Sequence, residues 1–260
     1  MLNLTNIHSK LQKAVSHHQL GQLDQAENIY RKILENDPQH LDALHLLGLV
    51  TYQSGRAEIA INLIKKAISL SPESSNLLCN LGDIFRALGR FEESIQVYQQ
   101  AIAVEPESAE ICNIMGMAFK DNGQTKEAIE AYQKAIQIDP SFSLAYSMLA
   151  KIGRSELLQF TKKDSEIILD EMFENSKKAA ELDPQNPVAS VMLATYYFFK
   201  GNFKYALNHA EKAVELNPSN PEAYMRVAQS MIHQGDYKTV SYTHLRAHET
   251  EADLVCRLLL

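Results

Sequence analysis

The sequence is poor in the residues that mark several protein classes. It has no tryptophan and three cysteines in 260 residues, and three thiols cannot form the disulfide framework of a small secreted protein. Its apolar stretches are short and interrupted by polar residues, so none predicts a membrane-spanning helix. The formal charge is −7 with scattered lysines, which argues against binding to a phosphate backbone. We therefore expect a cytoplasmic protein with no nucleic-acid partner and no membrane partner.

A short phrase that ends in proline recurs along the chain. Each phrase resembles AIAVEP, and five of the six follow a glycine at the same fixed offset. The first four phrases are 34 residues apart, and so are the last two. A fixed period of this length predicts stacked structural units rather than one compact core. The prolines that close the phrases are Pro38, Pro72, Pro106, Pro140, Pro184 and Pro218.

Within one period the apolar residues have helical spacing. Leu78, Leu81 and Phe85 fall on one face of a first helix, which Gly89 ends. A second helix follows and stops before Pro106. Small residues recur at one place in each helix, and facing small side chains allow two helix backbones to approach. These places are Gly48, Gly82, Gly116, Ala150, Ala194 and Ala228 in the first helices, and Ala26, Ala60, Ser94, Ala128 and Ala206 in the second helices.

This combination of period, small residues, mid-unit glycine and final proline resembles the tetratricopeptide repeat family. The resemblance implies an all-α fold, a right-handed superhelical solenoid of antiparallel helix pairs. About seven repeats would form an array over residues 1–239, with starts near residues 7, 41, 75, 109, 143, 187 and 221. The fifth repeat (143–186) is ten residues longer than the others. We expect a longer helix pair there, turning near Thr161–Asp164 with Asp164 or Ser165 as the N-cap, and it is either a tolerated insertion or a hinge or ledge for a partner.

The end of the chain does not follow the repeat. Residues 240–250 resemble the translated end of a transposase-based sequencing-library adapter, and residues 254–260 resemble its flow-cell end. We expect residues 240–260 to be non-native, and a natural protein that continues beyond residue 239. His244 and His248 have the spacing of a zinc site on a helix, but on this interpretation they are not a site.

The native part shows no phosphate-binding glycine loop, no CxxC pair and no supported nucleophile–base arrangement. We therefore expect no catalytic residue, no metal and no cofactor. The family resemblance instead implies a non-catalytic scaffold that holds a protein or peptide partner in a concave groove lined by the first helices. Carried over by repeat position, the groove comprises His45, Leu49, Tyr52, Asn76, Asn80, Asp83, Arg86, Asn113, Met117, Lys120, Val191, Thr195, Phe198 and Phe199.

Alternatives remain open at this stage. The apolar lining of the sixth repeat, which ends in Phe198 and Phe199, either contacts a partner or is covered by the long fifth repeat or a neighbouring helix. The same patch could mediate self-association. The array also resembles the N-terminal recognition arms of larger enzymes, such as O-linked GlcNAc transferase-like glycosyltransferases or sulfotransferases. The carboxylate clamp of chaperone-docking repeat proteins is not matched, because Leu11, Val15 and Leu46 occupy its places.

Overall fold

The computed structural model describes residues 2–157 and 162–234, and these form thirteen helices with no strand. The all-α repeat solenoid predicted from the sequence is confirmed. None of the described helices combines the length and apolar character needed to cross a membrane. The helices are α1 (Leu2–Gln19), α2 (Leu23–Asn36), α3 (Leu41–Gln53), α4 (Ala57–Leu70), α5 (Ser75–Ala87), α6 (Phe91–Val104), α7 (Ala109–Asp121), α8 (Thr125–Ile138), α9 (Ser143–Glu156), α10 (Lys162–Leu182), α11 (Pro187–Phe199), α12 (Phe203–Leu216) and α13 (Pro221–His233).

The chain divides into two compact units, residues 1–124 and residues 125–260, called unit 1 and unit 2 below. In unit 1, α1 packs on α2, α3 on α4 and α5 on α6, and α7 adds to α6. In unit 2, α8 packs on α9, α9 on α10 and α11 on α12, and α13 adds to α12. Each unit therefore consists of sequence-adjacent helices, as expected when every repeat contacts only its neighbours.

Local sequence explains where the helices stop and start. Gly89 has φ 73° directly after α5, a left-handed conformation that costs little only for glycine. Arg90 N–H then bonds back to the carbonyl of Phe85 at 2.9 Å, which closes the end of α5. At the start of α5, the Ser74 hydroxyl accepts from the backbone N–H of Leu77. Asn186 caps α11 in the same way and accepts from two backbone N–H groups.

Small residues bring the two helices of a pair into close contact, as the sequence predicts. The Ser94 hydroxyl on α6 donates to the Gly82 carbonyl on α5 at 2.8 Å, and this bond is buried. A Cβ atom at Gly82 would lie 2.5 Å from Cε1 of Tyr98, which is fully buried. Around this contact, Leu78 and Phe85 join a core cluster with residues of α4, α6 and α7.

The fifth repeat contains the longest helix of the described chain. α10 has 21 residues, whereas α8 and α12 have 14 each. The expected N-cap at Asp164 or Ser165 is wrong, because α10 has already begun at Lys162. Part of the expected turn, around Thr161, lies outside the described residues. Residues 240–260, with their predicted adapter origin and the His244/His248 pair, lie outside them as well.

Candidate functional site

A cavity of about 390 Å³ opens between the first helices α5 and α7 of unit 1. The surface formed by α3, α5 and α7 is called the first-helix face of unit 1 below. The cavity has five lining residues from α5, four from α7 and the residue before it, and Glu105, which directly follows α6. They are Ser75, Asn76, Cys79, Asn80, Asp83, Glu105, Ser108, Glu110, Ile111 and Ile114.

A chain of side-chain hydrogen bonds crosses from this cavity to α3. Asn80 Nδ2 donates to His45 Nε2 at 2.8 Å and to Asn76 Oδ1 at 2.9 Å. Burial lowers the pKa of His45, although the charge of Asp42 opposes the shift. The imidazole is therefore neutral at pH 7 and can accept at Nε2. Two amides are held in place at the cavity wall, one of them by the imidazole of His45 behind it, and hydrogen-bonding groups so arranged can recognise a peptide backbone.

The charged groups lining the cavity are all acidic: Asp83, Glu105 and Glu110. Asp83 Oδ1 accepts from the Tyr98 hydroxyl at 2.6 Å, and Glu105 Oε2 accepts from the Ser75 hydroxyl at 2.7 Å. Neutral donors hold both carboxylates without cancelling their charge. A cavity lined by three carboxylates attracts a cationic group.

The Cys79 thiol lies in the same wall. Burial, followed by the charges of Asp83, Glu110 and Glu105, raises the pKa of Cys79 to about 11. Since the thiolate is the reactive form, Cys79 is a weak nucleophile at neutral pH. This environment does not suit nucleophilic catalysis.

An ion pair joins the far ends of α5 and α7. Arg86 Nη1 lies 3.0 Å from Asp121 Oδ2, and both side chains are partly exposed. The pair fixes one end of the first-helix face. It also neutralises Arg86, so the acidic character of the cavity is retained.

The structure places the remaining predicted residues of unit 1 in three environments. Leu49 and Tyr52 are half-buried and pack against the core cluster of α4 to α7. Met117 and Lys120 are also partly buried. Asn113 is 1% exposed, with Nδ2 directed to the Met117 sulfur at 3.9 Å. Its predicted place on an accessible surface is therefore wrong, because the packing around α7 encloses it.

Sequence reasoning missed several cavity residues. Ser75, Glu105 and Ile111 line the cavity, yet the carry-over by repeat position considered only one face of each first helix. Glu105 precedes Pro106 at the end of a second helix, and Ser75 opens the helix before it. The two residues lie close because α5 and α6 pack against each other in opposite directions, so the start of α5 meets the end of α6, and the regular period offered that signal.

In unit 2, two of the predicted groove residues are buried. Val191 and Thr195 are 1% and 0% exposed, and the Thr195 hydroxyl donates back to the carbonyl of Val191. Val191 shares a core cluster with Leu169 and Met172 of the long helix α10. The prediction that these two line a groove is wrong because both are buried, and the long helix of the fifth repeat covers Val191. Phe198 is partly buried, whereas Phe199 remains 48% exposed.

A second cavity of about 530 Å³ lies in unit 2, between α8, α9 and α10. Its apolar wall includes Ile129, Ile152 and Met172. Its rim carries Glu156 and Glu171, and burial together with the charge of Glu171 raises the pKa of Glu156. Among the residues that the structure describes, no three His, Cys, Asp or Glu side chains converge to hold a metal ion.

Four segments of the chain match known family models. Models described as tetratricopeptide repeat match residues 109–142 and 191–239, and one described as TPR repeat matches residues 82–123. A model described as anaphase-promoting complex, cyclosome, subunit 3 matches residues 19–101. No curated protein is similar enough in sequence to count as a match.

Solved structures share the fold. A tetratricopeptide repeat protein from Parabacteroides merdae superposes with a TM-score of 0.71 at 17% identity, covering 98% of both chains. MamA is 28% identical, with a TM-score of 0.55, over 66% of this chain and 95% of its own. YrrB, described as a TPR protein with an unusual peptide-binding site, is 18% identical, with a TM-score of 0.50, over 75% of this chain and 96% of its own.

Proposed function

We propose that this chain, which belongs to the tetratricopeptide repeat family, is a non-catalytic scaffold that binds a peptide segment of a partner protein. The observation that carries the proposal is the cavity of about 390 Å³ between α5 and α7. The family of this chain supports a protein or peptide partner, and YrrB, a structural neighbour, is described as having a peptide-binding site.

The polar groups of the cavity suit an extended peptide. Asn76 and Asn80 each carry an amide that can both donate and accept, and the contact with His45 fixes the orientation of Asn80. Such amides can pair with the N–H and C=O groups of a peptide backbone. The three carboxylates supply the complementary charge for one lysine or arginine side chain of the peptide. The proposed ligand is therefore a short segment with a basic residue.

A displayed library of random 12-residue peptides tests the proposal. The library is selected on the full chain and counter-selected on the double variant Asn80→Ala, Asp83→Asn. Asparagine at position 83 retains an oxygen to accept from Tyr98, so the α5–α6 contact is kept. The matched control is Asp24→Asn, the same chemical change at an exposed position of α2.

The expected result is a set of peptides enriched in lysine or arginine that bind the wild type and the Asp24→Asn variant equally. The double variant should bind them about tenfold more weakly or worse, because it loses a charge and an oriented amide. Peptides that bind the double variant as tightly as the wild type would overturn the proposal, and so would a library without any binder.

A further inference from the structure

The first helices of unit 2 bury an arginine that has no carboxylate of its own. Arg226 on α13 is 7% exposed. Its Nη1 donates to Gln229 Oε1 at 2.8 Å, while its Nε has no hydrogen-bond partner. No described acidic residue forms an ion pair with it. A buried cation with an unused N–H group is unfavourable unless something compensates it.

The carboxylate on the same helix is already paired. Glu222 lies one turn before Arg226, and its Oε1 is 2.8 Å from Nη1 of Arg154 on α9. The Nε of Arg154 is likewise buried without a partner. Burial lowers the pKa of Arg226, Glu222 opposes this, and the charge of Arg154 adds to it. Two guanidinium groups therefore share one carboxylate, which leaves an excess of one positive charge.

Two aromatic rings hold the arginine in place. The Arg226 guanidinium carbon lies 5.6 Å from the ring centre of Phe198 and 5.9 Å from that of Phe199. These cation–π contacts offset part of the cost of burial. They also present an exposed apolar ring, since Phe199 is 48% exposed, directly beside the excess charge.

We propose that Arg154, Arg226 and Phe199 form a second binding site, which takes an acidic side chain of a partner protein. The guanidinium N–H groups match the two oxygens of a carboxylate. The Phe199 ring would pack against the methylene groups of a glutamate. The net charge of −7 disfavours binding of polyanions such as nucleic acids. A single carboxylate can still bind, because the two arginines neutralise its charge. This site is in unit 2 and is independent of the cavity in unit 1.

A fluorescence-polarisation titration with defined peptides tests the site. The probe is fluorescein-labelled Ala-Leu-Glu-Ala-Glu-Leu-Ala with an amidated C-terminus. One comparison peptide has glutamine in place of both glutamates, and another combines glutamine with a free C-terminus. We expect the glutamate peptide to bind at least about tenfold tighter than both comparison peptides. Equal binding of the glutamate and glutamine peptides would overturn the proposal, and so would preference for the free C-terminus.

Substitutions locate the binding on the protein. Arg226→Met should weaken binding of the glutamate peptide about tenfold, and it should fold, since an apolar side chain replaces a buried unpaired charge. The control Arg31→Met removes a half-exposed arginine that pairs with Glu27 in unit 1, and it should leave the affinity unchanged. Wild-type affinity in Arg226→Met would overturn the proposal.

A second variant gives a result that structural damage cannot imitate. Glu222→Gln removes the competing carboxylate and keeps both arginines, so the glutamate peptide should bind several-fold tighter than to the wild type. The peptide should also raise the melting temperature of this variant more than that of the wild type. Unchanged or weaker binding would overturn the proposal. Asp83→Asn should not alter this affinity, so failure here and failure in unit 1 are distinguishable.

Discussion

Asn80 of α5 and His45 of α3 join neighbouring helix pairs through a 2.8 Å hydrogen bond from an amide nitrogen to a ring nitrogen. The bond requires a neutral imidazole, because protonation removes the lone pair at Nε2. Burial lowers the pKa of His45 and so preserves the acceptor at neutral pH. Protonation of His45 at low pH should therefore release Asn80 and loosen the proposed peptide site.

The stability of the chain should therefore fall as the pH falls below 6.5. The pKa of His45 is lower in the folded state than the unfolded value of 6.5. As the pH falls, the unfolded state therefore binds a proton first, and the free energy of unfolding decreases until the pH reaches the folded pKa. Urea unfolding at pH 7.5 and pH 5 should show a smaller difference for His45→Gln than for the wild type. Burial also lowers the pKa of a second histidine, His209. His209→Gln should remove only the part of the pH-dependent stability that comes from His209. If the free energy of unfolding changed equally between the two pH values in His45→Gln and in the wild type, this account would be contradicted.

The close contact of α5 with α6 should not tolerate a methyl group. Gly82→Ala places Cβ 2.5 Å from the ring of Tyr98, a rigid and fully buried neighbour, so we expect a loss of about 2–3 kcal/mol in the free energy of unfolding. The comparison is Gly89→Ala, where no atom lies within 4 Å but φ is 73°. Strain alone should cost about 1–2 kcal/mol there. Chemical denaturation distinguishes these effects, and a Gly82→Ala variant as stable as the wild type would refute the packing argument.

Acid should release the contacts of Glu27. The Glu27 carboxylate accepts hydrogen bonds from Arg56 and Arg31. These partners lower the pKa of Glu27 to about 2, although burial opposes the shift. The stabilising contribution is present above pH 4.5 and is lost as the pH falls towards 2. Glu27→Gln should reduce stability at pH 7 by about 1 kcal/mol, because the arginines remain partly exposed. Melting temperatures recorded between pH 5 and pH 2.5 should decline less for the variant, and parallel declines would contradict the assignment.

Two residues predicted to line one surface should behave in opposite ways. Val191→Ala opens a gap in the core shared with α10 and should cost about 1–2 kcal/mol. Phe199→Ala should cost at most about 1 kcal/mol, since the half-exposed ring contributes one cation–π contact to Arg226, but it should weaken binding of the glutamate peptide. Thermal unfolding and the polarisation titration measure the two effects. A stable Val191→Ala variant would restore the original surface prediction.

The helices followed directly from the sequence because their signals are local. The glycine turn at Gly89 and the stop before Pro106 each act within a few residues of the chain, and the 34-residue period repeats such signals from one repeat to the next. The pairing of Gly82 with Ser94 was equally predictable, since small residues at matching places of two adjacent helices let their backbones approach closely.

The site was less predictable because burial depends on packing between distant residues. Val191 has the repeat position of a groove residue, yet α10 covers it, and only the length of the fifth repeat hinted at that helix. Arg226 gave no signal at all, since its unpaired charge becomes visible only once Glu222 is seen to pair with Arg154. Asn113 also has the repeat position of a groove residue, but packing around α7 buries it.

The peptide site of unit 1 can be tested directly at Cys79, because this thiol lines the cavity. The experiment uses a variant with the substitutions Cys112→Ala and Cys256→Ser, in which Cys79 is the remaining thiol. N-ethylmaleimide at pH 8.5 alkylates it, and mass spectrometry follows the rate with and without a peptide selected from the library. At ten times its Kd the peptide should slow alkylation about tenfold, since only the free protein reacts. An unchanged rate at that concentration would contradict the claim that the peptide binds between α5 and α7.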